Sequence, residues 1–133
     1  YLFFFFSMTA KVLLVFLGGG LGSVLRLAAG IHWNRQYPYG TLAVNLIGCL
    51  VIGAAAETLT RLSMLDSSAR LFLVTGILGG FTTYSSFSQE TFLMLEKAPA
   101  YGIAYAGITL VVGLLCNLLG FLAARSILAA MGK

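Results

Sequence analysis

Four long stretches without a charged residue, 12–25, 36–56, 71–89 and 98–124, alternate along the chain with short segments that carry charge. A helix rises about 1.5 Å per residue, so crossing a hydrocarbon core of about 30 Å takes about 20 residues. The pattern therefore predicts four transmembrane helices. The first must run past Arg26 to about Trp33 to be long enough. The second covers about Gly40 to Leu59, the third about Ala69 to Leu95 and the fourth about Tyr101 to Leu128. Between them lie hinges at Asn34 to Tyr39 with Pro38, Thr60 to Ser68 with Asp66, and Glu96 to Ala100 with Pro99. These are the residue types that end helices.

Composition agrees with an all-α integral membrane protein. A soluble domain is about a quarter charged; this chain is 9% charged and 59% hydrophobic, with a mean hydropathy of +0.97. So few charges do not cover a water-facing surface. Cys49 and Cys116 each sit in an apolar run and read as small buried hydrophobes, not as a disulfide framework. Met8 is a candidate start, so residues 1–7 are set apart as an added or N-terminal extension and 8–133 as one four-helix membrane domain. The extension has no charged leading region and no cleavage site, so no secretory signal is expected.

Four spans put both termini on one side, together with the second-to-third loop. Lys11, Arg61, Arg70 and Lys133 fall on that side, against Arg35 and Lys97 on the other, with Arg26 and Arg125 inside helix ends. Basic residues favour the cytoplasm, but so slight an asymmetry is compatible with insertion in both orientations. The scattered cations form no stripe for nucleic acid.

Polar groups at membrane depth are costly and are functional candidates by default. Arg26 either snorkels to the interface or raises the anion concentration in a vestibule. Asn45, one and a half turns into the second helix, either donates to an anion or ties helices together. The densest signal is Gly76-Ile-Leu-Gly-Gly-Phe-Thr-Thr-Tyr-Ser-Ser-Phe-Ser-Gln-Glu90, where paired glycines and threonines are poor helix material. A third helix that unwinds at its paired glycines, near its middle, frees backbone groups that only protein or a lined cavity satisfies. The alternative is a continuous helix whose hydroxyls bond to i−4 carbonyls. Glu90 is a pore-mouth carboxylate or an interfacial charge. Tyr105 and Thr109 share a face of the fourth helix, as a hydroxyl track or as packing residues. Asn117 reads as a helix contact, and His32 beside Trp33 as an interfacial pair. Gly18 and Gly22 make a small-xxx-small pair for packing within one chain or between two. Four helices enclose a polar path poorly, so self-association is expected. With one histidine and no nucleophile or phosphate-loop pattern, nothing supports covalent or hydrolytic catalysis, and an enzyme is the least expected class.

In order, a glycine-rich first helix ending in Gly22-Ser-Val-Leu-Arg26, then Gly40-Thr-Leu-Ala-Val-Asn-Leu-Ile-Gly48, then Gly79-Gly-Phe-Thr-Thr-Tyr-Ser-Ser-Phe-Ser88 with Glu90, the chain from Met8 resembles the small bacterial fluoride channels of the Fluc or CrcB type. The resemblance implies an antiparallel, dual-topology homodimer in the bacterial inner membrane, exporting fluoride passively and reducing its toxicity. It also implies two anion pathways and a central Na⁺ at the dimer interface, held by the backbone carbonyls of Gly79 and Thr82, with no organic cofactor. Asn45 would donate to fluoride, and the ring edges of Tyr84 and Phe87 would face it. The hydroxyls of Thr83, Ser85, Ser86 and Ser88 extend the route, and Tyr105 and Thr109 resemble its track on the fourth helix. Arg26 and Glu90 are the charges beside it. The chain departs from the family in two places: Tyr84 stands where phenylalanine is usual, and Gly113 offers no hydroxyl one turn beyond Thr109. The alternative, a proton-coupled small multidrug exporter, needs a carboxylate in the first helix, which carries Arg26 and no acid. A third reading is a non-transporting assembly subunit in which the glycines and Asn45 serve packing alone.

Overall fold

The computed structural model describes residues 2–34, 37–64 and 67–132. Arg35, Asp66 and Lys133 of the charge count lie outside the described residues. Helix α1 spans Leu2–Trp33 and α2 spans Tyr39–Arg61. A third run, α3 over 68–81, opens with Ser68–Arg70, continues in wide π-helical turns through Leu71–Leu78 and closes with Gly79–Phe81. Two extended residues follow, then α4 at Tyr84–Lys97 and α5 at Pro99–Ala130. No strand occurs among the described residues. Met8–Trp33, Tyr39–Arg61 and Pro99–Ala130 are long and apolar enough to cross a membrane. By contrast, α3 and α4 are each about 21 Å long at 1.5 Å per residue, short of the hydrocarbon thickness.

The helix limits follow local chemistry. Ser67 caps α3, its hydroxyl accepting from the Arg70 N–H at 3.2 Å, and Pro99 starts α5, where a missing N–H costs nothing. α2 closes with Ser63 in the left-handed region (φ 54°). There the Met64 N–H reaches the Leu59 carbonyl at 2.8 Å and the Ser63 N–H reaches that of Thr60 at 3.2 Å, the paired bonds of a Schellman turn. One expectation needs correcting. The sequence reading puts the unwinding at the paired glycines, yet Gly79 and Gly80 are helical and the extended residues are Thr82 and Thr83. Propensity lowers the helix there, but the threonines are the residues for which other bonding partners exist.

Close backbone packing holds the helices. The Gly18 and Gly22 pair works inside the chain, against α3. A Cβ added at Gly18 would lie 3.0 Å from the Gly76 Cα, and one at Gly22 would lie 2.7 Å from the Phe81 nitrogen. The α2 and α5 helices form the most extensive contact, through glycines that face backbone. A Cβ at Gly53 would meet the Asn117 carbonyl, and one at Gly120 the Leu50 carbonyl. Without a hydrophobic drive between helices in lipid, such approach supplies dispersion contact that larger residues would block. The large outward side chains of α1 and α5 are mostly apolar, including Phe16, Leu114 and Ile103, as a lipid-facing surface requires.

Gly120→Ala is expected to force α2 from α5 at a cost of about 1–3 kcal/mol, the usual penalty of overpacking. A lowered thermal unfolding midpoint in detergent checks this; an unchanged midpoint would show that the helices part freely there.

Candidate functional site

Extended backbone inside a membrane protein leaves N–H and C=O groups that lipid cannot satisfy. Thr82 (φ −77°, ψ 157°) and Thr83 (φ −150°, ψ 117°) are such residues, and Asn45 answers them from α2. Its Nδ2 donates to the Thr83 carbonyl at 3.1 Å, while the Thr83 N–H donates to its Oδ1 at 2.9 Å. A side-chain amide thus stands in for a neighbouring peptide. The Thr83 hydroxyl caps α4, accepting from the Ser86 N–H at 3.2 Å and donating to the Ser86 hydroxyl at 3.1 Å, with Ser85 Oγ at 3.3 Å. The same bonds redirect donors. The Thr83 N–H is the one that would serve Gly79 in a continuous helix, and the Ser86 N–H the one that would serve Thr82. The Gly79 and Thr82 carbonyls therefore give up their helical partners.

A second network fixes a carboxylate. Glu90 lies on α4, one and two turns on from Ser86 and Thr83. Its Oε1 accepts from the Thr41 hydroxyl at 2.7 Å and its Oε2 from the Tyr105 hydroxyl at 2.8 Å. Thr41 is in turn held by Asn34, whose Nδ2 donates to the threonine hydroxyl at 3.1 Å. The Asn34 Oδ1 accepts from the N–H groups of Gly40 and Thr41 at 2.6 and 3.2 Å, closing the start of α2. One carboxylate so ties α2, α4 and α5 together. Each oxygen takes a charge-assisted bond, the stronger kind.

Two open cavities meet at Thr83, the residue that lines both. One, of about 490 Å³, is a vestibule between α1, α2 and α4 that holds Arg26, Glu90, Thr41 and Ser86. The other, of about 450 Å³, is a mostly apolar groove bordered by Asn45, Tyr84, Phe87, Thr109, Gly113 and Asn117. Aromatic rings run along it. Tyr84 and Phe87 are 5.7 Å apart between centroids at 56°, and Phe87 and Tyr105 are 5.7 Å apart at 42°. Such tilted pairs turn ring edges, their electropositive part, toward neighbours. Phe87 and Tyr105 are buried, whereas Tyr84 is 78% exposed on the outside of the single chain.

The structure brings Asn45, Thr82, Thr83, Ser86 and Phe87 together around the extended residues and puts Arg26 with Glu90 in the vestibule. Ser85 and Ser88 lie on the exposed face of α4, and Gly79 is exposed beside Thr82. Several hydroxyl protons are committed within the protein. That of Thr109 goes to the Tyr105 carbonyl at 2.7 Å, that of Thr82 to the Leu78 carbonyl at 2.9 Å and that of Tyr105 to Glu90. One N–H of the Asn45 carboxamide is spent on Thr83, leaving the second, as the side chain carries two. Sequence reading assigned no role to Thr41 or Asn34. The signal for Thr41 was its spacing, four residues before Asn45 and so on the same face of α2. Asn34 carried no comparable mark, because a loop asparagine before a helix is ordinary.

The family model described as CrcB-like protein, Camphor Resistance (CrcB), matches residues 13–121. The chain is 44% identical over 118 residues to the Fluoride-specific ion channel FluC of Sorangium cellulosum (strain So ce56), covering 85% of this chain and 93% of that protein. It is similar to the protein of the same name from Granulibacter bethesdensis (strain ATCC BAA-1260 / CGDNIH1), at 43% identity over 110 residues, 77% of this chain and 87% of that one. The protein so named from Serratia proteamaculans (strain 568) is 40% identical over 119 residues, covering 86% and 94%.

Asn45→Ala is expected to strand the Thr83 N–H and C=O and lower stability by about 1–3 kcal/mol for a buried group left unpaired. Thermal unfolding of the purified variant measures this, and a cost near zero would mean that water or lipid headgroups already serve Thr83.

Proposed function

Because this chain belongs to the CrcB-like protein family, we propose that it is a fluoride-specific channel, which lets fluoride leave a bacterial cell passively across the inner membrane and so limits its toxicity. The observation that carries the reading is the extended Thr82–Thr83 pair, set between a charged vestibule and an aromatic-lined groove and bonded to Asn45. Fluoride is small and strongly hydrated, so a pore must replace its water with several donors while binding weakly enough to allow exit. The second Asn45 N–H, the Ser86 hydroxyl and the ring edges of Phe87 and Tyr84 are donors of this weak, distributed kind. Arg26 draws anions into the vestibule, and Glu90, its charge held by Thr41 and Tyr105, sets the geometry of that mouth. No bond is made or broken in transit, so the protein is a conduit and not an enzyme.

In this reading α3 and α4 act together as one span, broken at its middle, and two copies assemble as an antiparallel homodimer. The exposed polar residues Tyr84, Ser85 and Ser88 support the assembly, since they lie beside a groove open to one side of the chain. Polar side chains left facing lipid at that depth are costly, and a second copy covers them. The near balance of basic residues between the two sides suits insertion in both orientations. Na⁺ at the interface would be held by the carbonyls of Gly79 and Thr82. Both carbonyls fit a hard cation, because their helical donors are turned elsewhere. A bound Na⁺ supplies a fixed positive potential near the anion route.

Liposomes containing the purified protein are expected to release fluoride passively, as read by a fluoride electrode, and far faster than chloride. Equal flux of the two ions, or none of either, would remove the assignment. Phe87→Ile is expected to slow fluoride release by about tenfold or more, the factor that about 1.4 kcal/mol of lost ion stabilisation gives. Tyr84→Phe keeps the ring edge and gives up only a hydroxyl, so its flux is expected to stay within about tenfold of the parent. A complete loss would mean that the hydroxyl itself contacts the ion.

A further inference from the structure

The groove bordered by Asn45 carries a second carboxamide, that of Asn117 on α5. Levels along α2 and α5 can be compared, because the two helices run in the same direction. A Cβ at Gly113 would lie 3.5 Å from the Cys49 Sγ and, one turn further along both helices, a Cβ at Gly53 would meet the Asn117 carbonyl. Their starts also meet, since the rings of Tyr37 and Tyr101 are 5.9 Å apart between centroids. At 1.5 Å per residue, Asn45 lies about 9 Å from Tyr39 and Asn117 about 24 Å from Tyr101. The groove therefore has one carboxamide toward each end, about 15 Å apart in depth. Tyrosines mark a membrane interface and the hydrocarbon core is about 30 Å thick, so Asn117 lies inside it.

Asn117 follows Tyr105, Thr109 and Gly113 at intervals of four, in a row that winds slowly round α5. The hydroxyl protons of Tyr105 and Thr109 go to Glu90 and to the Tyr105 carbonyl, and Gly113 has none to give. The half-buried Asn117 side chain bonds to none of the described residues. Its amide has two N–H donors, and leaving them unmet in hydrocarbon is costly. Packing against Gly53 uses the Asn117 backbone carbonyl. Contact with α2 thus fixes the height of the residue and leaves its carboxamide unexplained.

On the reading that the chain conducts fluoride, we infer that Asn117 is a second anion-donating residue of the route, its N–H groups meeting the ion at the far end of the groove from Asn45. Asn45 has one N–H left after bonding to Thr83, whereas Asn117 keeps both. Between them the nearest neighbour of a Cβ at Gly113 would be at ordinary contact distance, so the groove stays open there. Two separate donor sites, with ring edges and open space between, replace water in steps, and no single site holds the ion too firmly for exit.

Liposomes containing the full-length protein or a variant are followed with a fluoride electrode, and each purified protein by size-exclusion chromatography. Asn117→Ala removes the donors without adding bulk. It is expected to slow fluoride release about tenfold or more, as the loss of one hydrogen bond to a charged partner gives, with an unchanged elution volume. Asn117→Gln keeps both N–H groups and is expected to stay within about threefold of the parent. Leu122→Ala, at an exposed apolar position on α5, is expected to leave release unchanged. Parent-like flux in Asn117→Ala, where the parent itself conducts, overturns the role of this residue and leaves the channel standing. A parent without fluoride flux removes the channel and the role together. An equal fall in Asn117→Ala and Asn117→Gln also overturns the role, as does a fall accompanied by an altered elution volume, since the side chain would then serve shape or assembly.

Discussion

Exchange of two hydrogen bonds between the Asn45 carboxamide and the Thr83 backbone is the constraint on which the rest of the structure depends. Two extended residues in a membrane protein expose backbone groups that lipid cannot serve, and each costs several kcal/mol if left alone. One side chain on a neighbouring helix resolves both groups at Thr83. It does so only if α2 stands at one height and one rotation relative to the break. The glycine contacts therefore have a purpose beyond cohesion. Gly53 and Gly120 bring α2 and α5 to backbone distance, and Gly18 and Gly22 do so for α1 and α3, which together hold Asn45 level with Thr83.

Much of the polar inventory is consumed in building the site rather than left to serve an ion. Thr41 and Tyr105 give their protons to Glu90, Thr109 gives its proton to a backbone carbonyl, and Thr83 caps α4. The remaining donors are few and weak, which suits an ion that must enter and leave without stopping. The diversion of two N–H groups from α3 and α4 has the further effect of freeing the Gly79 and Thr82 carbonyls.

The two ends of the molecule are chemically unlike. Tyrosines and the Glu90 network stand at one, and Glu57 with Arg61 and Arg125 stands at the other. The burial of Glu57 between α2 and α5 also makes the cluster a clasp on the same helix pair that carries Asn45. Removing both arginines would leave the buried Glu57 carboxylate without these partners.

The helical class, the membrane setting and three of the spans were legible in the sequence, because lipid demands long apolar runs and each such run must satisfy its backbone internally. The stretch from Gly76 to Glu90 was marked by composition for the same reason, as were Asn45 and Arg26, polar residues where polarity is costly. Sequence alone could not say that the interruption falls at Thr82 and Thr83 and not at the glycines before them. Local propensity lowers the helix over all four, and the outcome is decided by an amide some forty residues away. Nor could it assign Thr41, Asn34 or Glu57, whose roles consist of partners on other helices. Periodicity reports which face a residue shares along its own helix, whereas hydrogen-bond partners across helices exist only once the glycines have set how closely those helices approach.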